Sequence, residues 1–416
     1  MRSRRYVLTR LASAASTVGL AGCSQSILPT TGTDLGLPPN PRGLPERQHA
    51  QEAFLRTDGD GNPIAPRHHA VFLLELDAPP TAESARTVER AMRTVEAAYE
   101  WRPEGLFHML AWGPSYFETL DMLDAAPVRR PENHSRTDDP RLEDFAAALV
   151  LSSDVPSRLR AVERAMFGSA SSIEGEPVDH RLGEVFTLAG KRTGFIGKGL
   201  PAEHTDAEGI PEDASIPEHA PMFMGFRSGL KETQASEDAV TIEEGLLDDR
   251  FAGGTTMALT HFQQSLSEWF RGLDDADRAA RMFAPEFSPE DVTGFADSVP
   301  FSDRVREHAA EHDVVGHHEK VAQARADGSP LLLRRDFNTT NGGRAGVHFL
   351  SLQASIDDFV ETRRAMNGWY VRDDSEAITD RNNNGILEFI TEVATTNFYV
   401  PPRADRAFPG LRTEEK

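Results

Sequence analysis

The alternation of apolar and polar residues predicts a strand–helix–strand–strand–helix–strand order in the first half of the chain. The apolar run Ala70–Leu76 has the length of a buried strand and ends shortly before a Pro-Pro pair. Thr81 can cap a helix that continues to Tyr99, because apolar residues recur there every three or four positions and form one buried face. The remaining segments of this half are strands at Leu106–Trp112, Phe145–Leu151 and Gly183–Leu188 and a helix from about Ser157 to Phe167.

The second half shows a similar order with longer insertions. Ser355 and Asp358 have the spacing of a capping box at the start of a helix. The other predicted elements are strands at Thr255–Leu259, Val347–Gln353 and Ile390–Val400 and a helix that carries Phe262, Leu266 and Trp269. This order is that of a ferredoxin-like unit, so the pattern predicts an α+β fold of two ferredoxin-like domains with antiparallel sheets. A pocket is expected between a sheet and its own helices.

The N-terminus carries an export signature. Arg4 and Arg5 form a twin-arginine pattern, and the weakly apolar stretch at residues 11–22 is too short and too polar for a permanent membrane span. The stretch ends in a Leu-Ala-Gly-Cys sequence at Cys23, which resembles a lipobox whose cysteine is lipidated after cleavage. The pattern favours export by the twin-arginine pathway and anchoring to the outer face of the cell membrane. The alternative is an N-terminal helix with an incidental cysteine.

The chain is predicted to have five parts. They are a signal peptide at 1–22, a Pro- and Gly-rich, lipid-anchored tether at 23–66, an N-terminal domain at 67–220, a C-terminal domain at 221–403 and a tail at 404–416. Cys23 is the only cysteine of the chain, so an intramolecular disulfide is excluded.

The charge of the chain is strongly acidic. The formal net charge is −22, from 66 acidic and 44 basic residues. Loss of residues 1–22 removes four arginines and no acid, which leaves about −26. Such a surface repels nucleic-acid phosphates and anionic lipid, so we expect no nucleic-acid partner and contact with the membrane only through the lipid anchor. Because only five of the basic residues are Lys, the composition also resembles that of haloarchaeal proteins. A mildly acidic mesophilic protein is the alternative.

Several glycine- and histidine-containing motifs follow one another in a fixed order. They are Gly-Phe-Arg-Ser-Gly within Met224–Leu230, Gly-Gly-Thr within Phe251–Thr255, His-His-Glu-Lys-Val-Ala within Gly316–Ala322, and Leu-Leu-Arg-Arg within Leu332–Phe337. In the first half, Leu106–Phe117 ends in Trp-Gly-Pro-Ser-Tyr-Phe. In this order the motifs resemble those of the dye-decolorizing peroxidase superfamily, over roughly residues 68–403. The resemblance implies a fold of the dimeric α+β-barrel type and a haem b cofactor.

The resemblance implies a role for several of these residues. His318 matches the haem ligand of a His-x-Lys-x-Ala pattern, and a shift by one residue would assign this role to His317. Arg334 matches a distal arginine that polarises a bound peroxide. The loop residues expected to approach the cofactor are Gly225, Phe226 and Gly229.

Ser228 departs from the family pattern. The family has Asp at this position of the loop, where it moves a proton between the two oxygens of the peroxide. A serine hydroxyl can hold a water molecule but cannot take up a proton near neutral pH. Ser228 is therefore a candidate catalytic position of weakened function, with peroxide activation left to Arg334 or to water.

Each motif also has a plainer interpretation. The two adjacent histidines could be solvated at a polar helix end, or one of them could bind zinc together with His312. Arg334 and Arg335 could form salt bridges at a strand end. The segment Asp380–Gly385 resembles half of a calcium loop but has Thr391 at the position of the usual Glu, so an Asn-rich turn is favoured.

The function expected from these observations is that of an exported haem-binding protein with peroxide-dependent oxidoreductase chemistry and a weakened distal site. Its small-molecule partner would be a peroxide or a haem-like ligand, and homo-oligomerisation is left open. One alternative is a non-catalytic surface lipoprotein that binds haem or another flat ligand. Another is a structural lipoprotein without a cofactor.

Overall fold

A computed structural model describes residues 35–40, 42–211 and 216–411 of the chain. Arg4, Arg5 and Cys23 lie outside the described residues, together with the predicted signal peptide and the first part of the tether. In the described part of the chain, no helix is both long enough and apolar enough to cross a bilayer.

Eight antiparallel strands hydrogen-bond into a closed ring. In chain order they are β1 (His68–Leu76), β2 (Phe107–Trp112), β3 (Ala147–Ser153), β4 (Phe186–Phe195), β5 (Thr255–Gln264), β6 (Phe337–Thr339), β7 (Gly346–Gln353) and β8 (Ile390–Val400). Around the ring the order is β5–β7–β6–β4–β1–β3–β2–β8, and β8 pairs again with β5. The short strand Leu333–Arg334 also pairs with β7, and Arg141–Leu142 pairs in parallel with β8.

The ring consists of two four-stranded halves. The first has the order β4–β1–β3–β2 and the second the order β6–β7–β5–β8, which is the ferredoxin-like order in each case. One residue pair joins the halves at each seam, Asn338 with Phe195 and Tyr399 with Trp112. The predicted α+β fold of two ferredoxin-like, antiparallel halves is therefore confirmed, and the halves close into one barrel.

The helices cover the outside of the barrel. They are α1 (Ala82–Ala98), α2 (Pro114–Thr119), α3 (Pro156–Met166), α4 (Leu200–Glu203), α5 (Leu266–Gly272), α6 (Asp275–Met282), α7 (Pro289–Thr293), α8 (Val305–His312), α9 (His317–Val321) and α10 (Ile356–Asn367). The cap expected at Thr81 and the capping box expected at Ser355 and Asp358 are both present, and at Thr81 the structure adds a second partner, Ser84, which completes a capping box there as well.

Apolar side chains fill both faces of the sheet. On β1, Val71 and Leu73 belong to the cluster inside the barrel, whereas Phe72 and Leu74 pack with the helices outside. Successive residues of a strand point to opposite faces, so a strand that is buried on both sides is a continuous apolar run. This explains why the strand at Ala70–Leu76 could be predicted from the sequence although its apolar and polar residues do not alternate.

Two predicted boundaries are wrong. The strand expected at Gly183–Leu188 begins at Phe186 and continues to Phe195, and its middle residues are largely solvent-exposed and polar, which hid the strand. Phe262 was expected on a helix but belongs to β5, because the backbone continues to pair with both β7 and β8 through this residue. The helix α5 begins only at Leu266.

A buried ion cluster fixes the C-terminal segment to α1. The Arg406 side chain is 0% exposed, its Nε donates to Glu89 Oε2 at 2.9 Å, and its Nη2 donates to Glu96 Oε2 at 3.1 Å. Arg403 Nη1 donates to Glu96 Oε1 at 2.6 Å. These bonds compensate the cost of burying the charges and hold the chain after β8 against the first half of the barrel.

Candidate functional site

A cavity lies on the outer face of the second half-sheet, between the sheet and its own helices. Its walls come from β5, β7 and β8, from α9 and α10, and from the segments 222–230 and 330–336. The lining is mainly apolar, with Met224, Phe226, Phe262, Phe283 and Met366 among its side chains. The empty space is about 1490 Å³, counting the part open to solvent. This is the position that the sequence predicted for a pocket.

The fold brings most of the predicted site residues together in this cavity. The lining includes Phe226, Ser228, Gly229, His317, His318 and Arg334. Gly225 instead lines an open cleft that adjoins the cavity.

The two histidines begin α9, and a close contact places them there. Gly316 is the N-cap, and a Cβ at this position would lie 1.8 Å from the Phe283 carbonyl oxygen, so only glycine allows this approach. Burial lowers the pKa of His318 to about 4 and holds the pKa of His317 well below its usual range, with further lowering by nearby cations that include Arg334. Both imidazoles are therefore neutral near pH 7, as a metal ligand must be.

Neither imidazole has a partner for one of its ring nitrogens. His317 Nδ1 and His318 Nε2 are buried without a hydrogen bond. An unpaired buried polar atom is costly, so each of these nitrogens calls for a partner that the described residues do not supply, such as a water molecule, an ion or a ligand. Both side chains are half-buried in the cavity wall, which disfavours two fully solvated histidines at a polar helix end.

Glu319, which follows the two histidines in the chain, forms hydrogen bonds with neither of them. Glu319 accepts a hydrogen bond from the Gly316 backbone N–H at 2.6 Å, and its other oxygen lies 2.6 Å from His308 Nδ1. His308 is 0% exposed and Glu319 is 1% exposed. This pair fixes the start of α9 from behind and orients neither His317 nor His318.

Lys320 ties α9 to the Asn-rich segment. Its ammonium group donates to the backbone oxygens of Met366 and Asn384, each at 2.9 Å, and also to the Asn384 side-chain oxygen. The oxygens of Asn384 in this turn are thus occupied by the Lys320 amino group, whose pKa burial lowers to about 7. Over the described ranges, no group of three or more His, Cys, Asp or Glu side chains has a metal-binding arrangement.

Arg334 and its neighbour Arg335 have opposite environments. Arg335 Nη2 donates to Glu237 at 2.8 Å and to the His49 carbonyl oxygen at 2.6 Å, so the salt-bridge interpretation holds for Arg335. Arg334 has no carboxylate within 4 Å in the described part of the chain; its Nη2 donates to Thr233 Oγ1 at 3.1 Å and its Nε is buried without a partner. Burial lowers the pKa of Arg334, and the nearby Asp336 opposes this effect.

The loop at 224–230 has a fixed conformation. Gly225 and Gly229 have φ angles of 89° and 78°, which are left-handed values that favour glycine. Trp269 Nε1 on α5 donates to the Met224 carbonyl oxygen at 3.0 Å and anchors the start of the loop. In this conformation Ser228 points its hydroxyl at Asp336, and Oγ donates to Asp336 Oδ1 at 3.2 Å.

Asp336 is the site residue that the sequence analysis missed. It lines both the cavity and the cleft, as do Ser228 and Arg334. The available signal was its spacing from Arg334, because residues two apart in an extended segment point to the same side. Ser228, Arg334 and Asp336 therefore lie where the cavity and the cleft meet.

Comparison with known proteins places the chain in a family. The model of DUF7405, described as a family of unknown function, matches residues 66–402. The chain belongs to this family. The matched residues of this DUF7405 protein include the whole barrel. No curated protein matches the chain.

Solved structures of dye-decolorizing (DyP-type) peroxidases share the fold of this DUF7405 chain. The DyP-type peroxidase from Cellulomonas bogoriensis has a TM-score of 0.56 and 15% identity, over 86% of this chain and 99% of that chain. The oxyferrous complex of DtpA from Streptomyces lividans has a TM-score of 0.55 and 16% identity, over 84% and 93%. A DypB variant from Rhodococcus jostii in complex with haem has a TM-score of 0.53 and 14% identity, over 83% and 96%. At these identities the similarity shows the fold, which is that of the superfamily that the motifs resemble.

Proposed function

We propose that the chain binds haem b in the cavity and uses it for peroxide-dependent oxidation. The observation that carries this proposal is the pair of neutral imidazoles, each with one buried, unpartnered nitrogen, in an apolar cavity that also holds an arginine without a salt bridge among the described residues. The DypB structure described above is a haem complex of the same fold. Because Cys23 is the only cysteine, a haem held without thioether bonds is the type that the chain could accommodate.

The residues of the cavity fit such a cofactor. Its aromatic and aliphatic side chains suit the faces of a flat macrocycle, and His317 or His318 would hold the iron through a neutral ring nitrogen. When bound, haem would supply an iron that takes up peroxide and the electrons that break the O–O bond.

The chain's own residues would prepare the peroxide. The Arg334 guanidinium would donate hydrogen bonds to the bound peroxide and stabilise negative charge on the leaving oxygen. Ser228 would hold a water molecule or orient a neighbour, since its hydroxyl cannot take up a proton near neutral pH. The apolar walls would keep bulk water away from the reacting atoms.

The test is an absorption titration of purified protein with haemin at high salt. We expect a Soret band that saturates at one-to-one stoichiometry and is lost in the His317→Ala/His318→Ala double variant. The two single variants would identify the ligand. His312→Ala is the matched control, because His312 is exposed at the nearby end of α8. Absence of a saturable band in the unaltered protein would contradict the proposal.

The alternative is a non-catalytic protein that binds haem or another flat ligand. Ser228 favours it, because the loop lacks the acid of the family pattern. A peroxide-turnover assay on the haem-loaded protein separates the two functions. Turnover well above that of free haemin supports the enzyme, and a bound Soret band without turnover supports the binding protein.

We further propose export by the twin-arginine pathway and attachment to the outer face of the membrane through Cys23. The support is the Arg4-Arg5 pair and the lipobox-like sequence before the cysteine. Changing Cys23 to Ser should release the protein from membranes into the soluble fraction, with Ser24→Ala as the control. Retention of the Cys23 variant on membranes would argue for another anchor.

A further inference from the structure

Asp336 occupies the junction between the cavity and the open cleft. It follows Arg334 by two residues, so both side chains lie on the same side of the segment that leads from the short strand Leu333–Arg334 into β6. Asp336 is 9% exposed, and it lines both spaces. A molecule bound beside Arg334 is therefore also beside this carboxylate.

The contacts of Asp336 leave its carboxylate available. Ser228 donates to Oδ1 at 3.2 Å, and this is the hydrogen bond that the described residues provide to the group. Arg334 is close enough for Asp336 to raise its pKa, but no cation of the described chain lies within 4 Å of the carboxylate. Two of the other carboxylates that line the cleft are bound by cations, Asp58 by Arg227 and Glu237 by Arg335.

The loop at 224–230 contains no carboxylate, but the hydrogen bond from Ser228 holds the Asp336 carboxylate beside it. A serine hydroxyl that donates to a carboxylate orients it and cannot replace it as a proton acceptor. The carboxyl group is thus absent from the loop and present in the segment between the short strand Leu333–Arg334 and β6.

We propose that the Asp336 carboxylate, oriented by Ser228 beside Arg334, is the proton-transfer group of the site. This inference rests on the proposed function. The carboxylate would accept one proton from one oxygen of hydrogen peroxide and donate it to the other oxygen, which leaves as water with the O–O bonding pair. The oxygen left behind needs two electrons, which the haem of the proposed function would supply.

Cyanide binding tests the proposed role of Asp336 without any turnover of peroxide. Hydrogen cyanide binds ferric haem as the anion, so its proton must be accepted in the site. In stopped-flow absorption measurements we expect Asp336→Asn to slow cyanide association by about a hundredfold while the Soret titration with haemin is unchanged. The double variant Ser228→Asp/Asp336→Asn returns a carboxylate to the loop and should regain most of the rate. Asp275→Asn removes an exposed cleft carboxylate that pairs with Arg278, and it should leave the rate unchanged.

The outcomes separate this inference from the proposed function. If the unaltered protein shows no saturable Soret band, both are overturned. If it binds haem and Asp336→Asn associates with cyanide at the unaltered rate, only the role of Asp336 is overturned. If circular dichroism shows that Asp336→Asn does not fold, Ser228→Ala is used in its place. Loss of the orienting hydroxyl should then slow cyanide association several-fold, and an unchanged rate would overturn the inference.

Discussion

Arg334 and Arg335 are neighbours in the chain, and replacing each by Met should change stability in opposite directions. Arg335 is bound by Glu237 and by the His49 carbonyl oxygen. Arg334 faces an apolar cavity, and its guanidinium donates one hydrogen bond, to Thr233, among the described residues. A residue that serves binding rather than folding is expected to lower the free energy of unfolding of the ligand-free protein.

The effect of Arg334→Met on the free energy of unfolding follows from two contributions that the change removes, the desolvation penalty of the guanidinium and its hydrogen bond to Thr233. A guanidinium without a carboxylate in direct contact pays a desolvation penalty of several kcal/mol, which the nearby Asp336 offsets in part. Met relieves the remainder with a side chain of similar length. The hydrogen bond to Thr233, worth about 1.5–3 kcal/mol with a charged donor, is lost. We expect the haem-free protein to become more stable by about 1–3 kcal/mol.

Arg335→Met should be destabilising. It removes the counter-charge of Glu237, whose carboxylate is left with the backbone N–H groups of Gln51 and Glu52 at 2.6 and 2.9 Å. It also leaves the His49 carbonyl oxygen without its donor. Because Glu237 keeps these two hydrogen bonds, Arg335→Met should lower the free energy of unfolding by about 2–4 kcal/mol, less than if the carboxylate were left without any partner.

The assay is equilibrium unfolding of both variants and the unaltered protein in denaturant, at constant high salt and without haem. The free energy of unfolding is compared at equal m-values. Destabilisation by Arg334→Met comparable to that of Arg335→Met would refute the reasoning, because Arg334 would then be a structural residue. A haemin titration of Arg334→Met checks that a gain in stability does not come from a collapsed cavity.

Three further predictions concern stability. The protein should lose structure as salt is lowered, because a charge near −26 is then unscreened; circular dichroism between about 3 M and 0.1 M NaCl measures this, and salt-independent stability would argue against a halophilic surface. Stability should fall as the pH decreases from about 6.5 to about 4, because burial lowers the pKa of His261 to about 4 and holds that of His348 well below its usual range, so the unfolded state binds more protons in this range. Equal midpoints of urea unfolding at about pH 6.5 and about pH 4 would contradict this pH dependence. Arg406→Met should cost about 3–5 kcal/mol because it leaves Glu89 and Glu96 short of their shared cation, and a loss below about 1 kcal/mol in urea would contradict the structural role of the cluster.

The sequence by itself determined the elements whose residues are constrained locally. Strands buried on both faces, such as Ala70–Leu76, are apolar without interruption, and capping residues such as Ser355 mark the start of a helix whatever packs against it. Two ferredoxin-like halves could therefore be predicted. The strand ending at Phe195 could not, because exposed polar positions conceal its backbone pairing.

The composition of the site was decided by the tertiary structure. The motifs predicted that His317, His318 and Arg334 belong together, since each has a recognisable local sequence. They did not predict that Arg335 would be neutralised by Glu237 while Arg334 would stay unpaired, because both arginines have the same local sequence and differ only in what faces them. The contact between Ser228 and Asp336 joins residues 108 positions apart, and no local pattern encodes it. The loop by itself lacks a carboxylate, and only the folded chain brings Asp336, from the segment that leads into β6, to a position beside it.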